Sequence, residues 1–238
     1  MSLTSRLLRY EHDGVELQGE LVADDAANTA LPGILLVHGG SGLDDHARAQ
    51  ARRYAALGYV VLACDMYGKG VPGHRERVLA TITALREDPD LLAARGVAGL
   101  SALSSCPEVD GPVSAVGFCF GGLAVLTLAR SGADVAATIS MHGSLDTSSP
   151  ALPGAITGRV LVCHGALDPH VPMTQVTAFC REMTEAGADW QLSIYGSAMH
   201  GFTHDHAVPG ATPGVEYHEP TDRRSFAAAR ALLAEALG

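Results

Sequence analysis

Apolar runs without polar alternation punctuate the chain at residues 34–37, 59–64, 113–116, 135–140 and 160–163, and 190–195 reads as a further strand. A strand that is apolar at successive positions is buried on both faces, as in a parallel sheet held between helix layers. Only the beginning differs. Residues 6–10 and 15–22 alternate roughly in polarity around His12-Asp13-Gly14 and predict an antiparallel hairpin. Amphipathic segments fill the intervals. A helix is predicted from about residue 44 to 57, with Gly58 as its stop. Residues 74–104 hold one or two helices, interrupted near Asp88-Pro89, and residues 123–129 read as helical. Pro172 starts a helix with Val176, Phe179, Cys180 and Met183 at i, i+3, i+4 and i+7, and Gly187 ends it. Residues 221–237 close the chain as an amphipathic helix with Phe226, Leu233 and Leu237 on one side. The alternation predicts an α/β fold. No linker, repeat or low-complexity tract divides the chain, so one domain over residues 1–238 is expected.

Charge narrows the partners. The formal net charge is −10, Lys69 is the only lysine, and the arginines are scattered, which argues against a nucleic-acid partner. The longest apolar runs, 33–37 and 59–64, are far too short to cross a bilayer, and the opening segment MSLTSRLLRYEHDG lacks the apolar core of a signal peptide. Five cysteines, an odd number with no C-x-x-C spacing, argue against a disulfide framework or a structural zinc. A cytoplasmic location is expected.

The chemistry collects where such sheets bind ligands, at the carboxyl ends of the strands: His38, Asp65, Cys119, Met141-His142, His164-Gly165, Asp168 and His200. Gly117-Phe118-Cys119-Phe120-Gly121-Gly122 stands between a strand and a helix. That is the setting of a nucleophile elbow, in which glycines clear a strained turn and the middle residue is pushed up from the sheet. Here that residue is a thiol. Asp168 and His200 follow, each a few residues past its own strand. The chain order is therefore nucleophile, acid, base, as acyl transfer on such a sheet requires. An Asp before Pro169 is by itself a common turn former, and a lone cysteine is usually a core residue. The latter reading suits Cys64, Cys106, Cys163 and Cys180. Position in the elbow and the company of the other two favour Cys119, Asp168 and His200 as catalytic. At a helix N-terminus and beside an imidazolium, the Cys119 thiol is expected to ionise easily. The oxyanion hole is expected from the backbone amides of Phe120 and, in the glycine-rich loop after the first parallel strand, Gly40.

These residues resemble the dienelactone hydrolase family over about residues 10–235. The resemblance rests on the elbow, on His164-Gly165-x-x-Asp168-Pro169, on Tyr195-Gly196 with His200-Gly201-Phe202, and on Asp65-Met66-Tyr67-Gly68. It implies an α/β-hydrolase fold, a mostly parallel central sheet of eight strands with helices on both faces. It also implies a Cys-Asp-His triad, no cofactor, no bound metal, and hydrolysis of small esters or lactones. The family members that cleave dienelactone carry a glutamate where Gly39 stands and an arginine where His204 stands. Arg75 or Arg77 offers an alternative anion contact. His38, Tyr67, Phe202 and His204 are expected in the substrate pocket.

Two other readings share the fold: a non-catalytic ligand-binding protein, and a thiol redox sensor using Cys119. Intact Asp168 and His200 weigh against the first, and the lack of a resolving cysteine near Cys119 in sequence weighs against the second. His200, His204, Asp205 and His206 resemble a metal cluster, but Gly201 and Pro209 favour a solvated loop there.

Overall fold

The computed structural model describes residues 2–27, 29–208 and 210–238, so Pro209 lies outside the described residues. Among them, eight strands form one sheet: β1 (Leu3–His12), β2 (Val15–Asp24), β3 (Leu31–Val37), β4 (Val60–Cys64), β5 (Val109–Phe118), β6 (Ala137–Met141), β7 (Arg159–Gly165) and β8 (Trp190–Tyr195). Their order is β1-β2-β4-β3-β5-β6-β7-β8. β2 pairs antiparallel with both neighbours, and every other pairing is parallel. This is the α/β-hydrolase arrangement.

Continuous apolar strands are buried on both faces, as expected. Leu35 and Val37 of β3 join Leu62 and Cys64 of β4 in one core, beneath α2 (Arg75–Glu87), α3 (Pro89–Ser104) and α4 (Phe120–Arg130). Ile34 and Leu36, one residue out of phase, face the other core with Ala47, Ala51 and Tyr54 of α1 (Asp45–Ala55) and Ala229 and Leu233 of α6 (Glu219–Leu237). α5 (Met173–Glu185) packs Val176, Phe179 and Met183 beside β7, whereas Cys180 is only half-buried.

The interruption near Asp88-Pro89 is as the sequence reading has it, and two other boundaries depart from that reading, each for a local reason. The 74–104 segment is two helices, because Asp88 accepts a hydrogen bond from the Leu91 amide (2.9 Å) and Pro89 supplies the first turn of α3. β5 starts at Val109, four residues early, since Val109 pairs with Leu31 ahead of a register shift. α4 begins at Phe120 and takes in Gly121 and Gly122. A Cβ on Gly121 would collide with the carbonyls of Val37 and His38, so only glycine lets this helix pass so close to β3. No helix among the described residues is long and apolar enough to cross a membrane.

Candidate active site

Cys119 leaves β5 in the left-handed region (φ +54°), a conformation uncommon for a residue with a side chain. Its amide donates to the Met141 carbonyl (3.0 Å), and its own carbonyl accepts from Gly122 (3.0 Å), so the turn is tied to β6 on one side and into α4 on the other. The sulfur lies 3.0 Å from Nε2 of His200. Nδ1 of His200 lies 2.8 Å from Oδ2 of Asp168. The second carboxylate oxygen, Oδ1, accepts from the amides of His170 (2.8 Å) and Val171 (3.2 Å). With both oxygens engaged, the carboxylate is fixed in orientation. The His200 backbone is held too: its amide donates to Gly214 O (3.0 Å) and its carbonyl accepts from Glu216 N (3.1 Å).

Burial opposes ionisation of the Cys119 thiol, but the hydrogen bond and charge of His200 and the amides of Phe120 and Gly40 outweigh it, and the thiol ionises below its ordinary range. Burial also disfavours the imidazolium of His200, yet its bonds to Asp168 and Cys119 prevail and raise it to about 10. Asp168, despite burial, is held below the usual carboxylate range by the same imidazole. The thiolate and the imidazolium thus each favour the charged form of the other. The two amides that reach the sulfur, Phe120 and Gly40, are those expected to receive an oxyanion.

A cleft of about 440 Å³ opens over the sulfur. Gly40, Cys119, Phe120 and His200 line it, joined by Ile82 and Arg86 of α2, by Ser144, His170, Val171 and Gln175, and by Val215. Sequence reasoning had missed this second set. Only His170 carried a local signal, two residues after Asp168; Ile82 and Arg86 are one turn apart on a helix whose inward face the sequence did not reveal. Arg86, not Arg75 or Arg77, brings a cation to the cleft, 3.4 Å from the Ser144 hydroxyl; Arg77 instead donates to Gly70 O.

The four residues expected in the substrate pocket do not line this cleft. His38 is fully buried, donates from Nδ1 to Gly39 O (2.7 Å) and accepts at Nε2 from the Met66 amide (3.2 Å), so it bridges the loops after β3 and β4. Tyr67 donates its hydroxyl to the Gly40 carbonyl (3.0 Å) and braces the loop that carries the Gly40 amide. Phe202 is fully buried in the core, because Gly201 (φ +67°) reverses the chain right after His200. His204 stacks on His46 with ring centroids 3.7 Å apart, while His206 faces solvent beside Asp205. Among the described residues, no group of three or more His, Cys, Asp or Glu side chains is arranged to hold a metal ion.

The family profile described as "Dienelactone hydrolase family" matches residues 17–237. The chain belongs to the dienelactone hydrolase family. The solved structure named m3DLH superposes on this family member with a TM-score of 0.93 at 38% identity, covering 100% of both chains. The dienelactone hydrolase-like promiscuous phosphotriesterase P91 from metagenomic libraries does so with 0.93 at 36%, also over 100% of both. The Caenorhabditis elegans protein K02A2.1 is 38% identical over 149 residues, 61% of this dienelactone hydrolase family chain and 94% of its own. The protein is accordingly a hydrolase of ester-type bonds.

Proposed function

We propose that this enzyme hydrolyses small esters or lactones through an acyl-cysteine, with Cys119 as nucleophile, His200 as base and then acid, and Asp168 as the group that orients His200. The unbroken hydrogen-bonded chain from the Cys119 sulfur through His200 to Asp168, 3.0 and 2.8 Å, carries this reading. The thiolate attacks the acyl carbon, and the carbonyl electrons move onto oxygen, which the Phe120 and Gly40 amides receive. When the tetrahedral adduct collapses, the bond to the alkoxy oxygen breaks and His200 gives that oxygen its proton. A water molecule then loses a proton to His200 and attacks the thioester. Collapse of the second adduct releases the acid, and the thiolate–imidazolium pair is restored.

A metagenomic relative named a promiscuous phosphotriesterase, 36% identical, favours phosphate triesters as a second substrate class, with the phosphoryl oxygen on the same two amides. Five free cysteines support the reading of an enzyme working in a reducing cytoplasm. The reaction is tested with a short p-nitrophenyl ester and Cys119→Ala. Loss of turnover is expected, whereas wild-type turnover by the variant defeats the proposal, and no turnover by either protein favours the silent binding or redox-sensing alternatives.

A further inference from the structure

His142, like His38, Asp65 and His164, is a strand-end residue outside the hydrolytic scheme, and it alone of these four holds its backbone at positive φ. It follows β6 in the left-handed region (φ +42°), is fully buried, and is fixed by its amide, which donates to Cys163 O (2.9 Å). A side chain held there needs surroundings that over-determine it. Its ring stands edge-on to that of His200, centroids 5.3 Å apart, and Nε2 lies 2.8 Å from the Thr203 hydroxyl. The same hydroxyl, and the Thr203 carbonyl, each lie 3.1 Å from Nε2 of His46 on α1.

The protons of this network follow from what each atom can do. A carbonyl oxygen only accepts, so Nε2 of His46 carries a proton and donates. The Thr203 hydroxyl accepts from His46 and shares one further hydrogen bond with Nε2 of His142. Thr203, three residues after His200, is thus gripped from the sheet by His142 and from α1 by His46. Burial keeps both imidazoles uncharged.

The geometry points to His142 as a positioning residue: through the Thr203 hydroxyl, and with His46 on the opposite side, it seats the His200 turn so that the imidazole meets the Cys119 sulfur. The inference rests on Cys119, His200 and Asp168 being the reacting chain. It adds that their alignment is set from below the site, by groups that never touch substrate.

Thr203→Val removes the hydroxyl at constant shape, and Thr203→Ser keeps it. The first readout is the rate of Cys119 alkylation by iodoacetamide against pH, which follows the thiolate without any ester. Around His200 the ionisable groups are Cys119, Asp168, His142, His164, His170 and His204, and all are retained in these variants. In Thr203→Val the inflection is expected to move up toward an ordinary thiol. On a p-nitrophenyl ester, kcat is expected to fall between about ten- and a hundred-fold with KM nearly constant. Thr203→Ser is expected to restore both. A folded Thr203→Val protein with the wild-type inflection and kcat overturns the inference, as does equal loss in the Val and Ser variants, which would make volume the cause. Should Thr203→Val not fold, His142→Asn, which tolerates the left-handed backbone but is too short to reach Thr203, is measured the same way; a wild-type inflection there also overturns it. These outcomes are separable from failure of the catalytic reading, which shows instead as turnover by Cys119→Ala.

Discussion

Arg130 and Glu182 form a two-pronged ion pair, Nε to Oε1 and Nη2 to Oε2, both 2.8 Å, that ties the end of α4 to α5. Arg130 also donates to Leu145 O (3.0 Å) and Glu182 accepts from Ala151 N (2.9 Å), so the pair anchors the segment after β6 that carries Ser144 to the cleft. Both side chains are largely buried, 3% and 11% exposed. Removing the acid strands a desolvated cation. Glu182→Ala is expected to lower stability by about 3–5 kcal/mol, measured by urea denaturation. A loss under about 1 kcal/mol would show that Arg130 finds water or another partner.

Close backbone packing at the elbow predicts a sharp contrast between two glycines. Gly121→Ala sets a methyl group against the carbonyls of Val37 and His38, which are backbone and cannot give way. It is expected to cost more than about 3 kcal/mol, or to abolish soluble expression. Gly196→Ala meets nothing within 4 Å and is expected to stay within about 0.5 kcal/mol of wild type. Equal stability of the two variants would contradict the packing.

The proposed Cys119–His200 pair predicts the pH dependence of ester hydrolysis. The thiolate is lost as pH falls through the lowered value of Cys119, and the imidazolium is lost as pH rises through about 10. A bell-shaped kcat/KM is expected, its acid limb below the ordinary thiol range of about 8.5 and its alkaline limb near 10. A single rise centred on that ordinary thiol value would mean that the pair does not form.

Acid sensitivity of the fold is set by other histidines. His38, His46, His142, His164 and His204 are all held below their ordinary value, chiefly by burial. A base whose folded value is lowered binds its proton more readily when unfolded, so stability is lost as pH falls below the unfolded value of 6.5. For His46, lowered to about 3, the loss between pH 7 and pH 5 is about 2 kcal/mol. Melting temperature is expected to drop over that interval in wild type and less in His46→Gln, provided that variant folds. An equal drop in both would remove His46 from the account.

Local patterns made much of this legible in the sequence. Continuous apolar strands specified a sheet covered on both faces, because a residue buried on either side of a strand has no polar option. The run from Gly117 to Gly122 announced the turn, since only glycine tolerates the backbone approaches on either side of Cys119. The order of Cys119, Asp168 and His200, each beyond its own strand, put all three on one edge by topology alone.

What only the tertiary structure decided is which side chains face the cleft and which stand behind it. Ile82 and Arg86 reach it because of how α2 lies across the sheet, a matter of packing between segments remote in sequence. Phe202, next but one to His200, turns into the core because the left-handed Gly201 reverses the chain. His38 and Tyr67 spend their polar atoms on bracing loops, and His142 and His46 converge on Thr203 from elements 96 residues apart in sequence (142 − 46). A sequence records the residues next to a given side chain along the chain, whereas function here depends on which of several polar atoms it meets across space, and that is set only when the layers close.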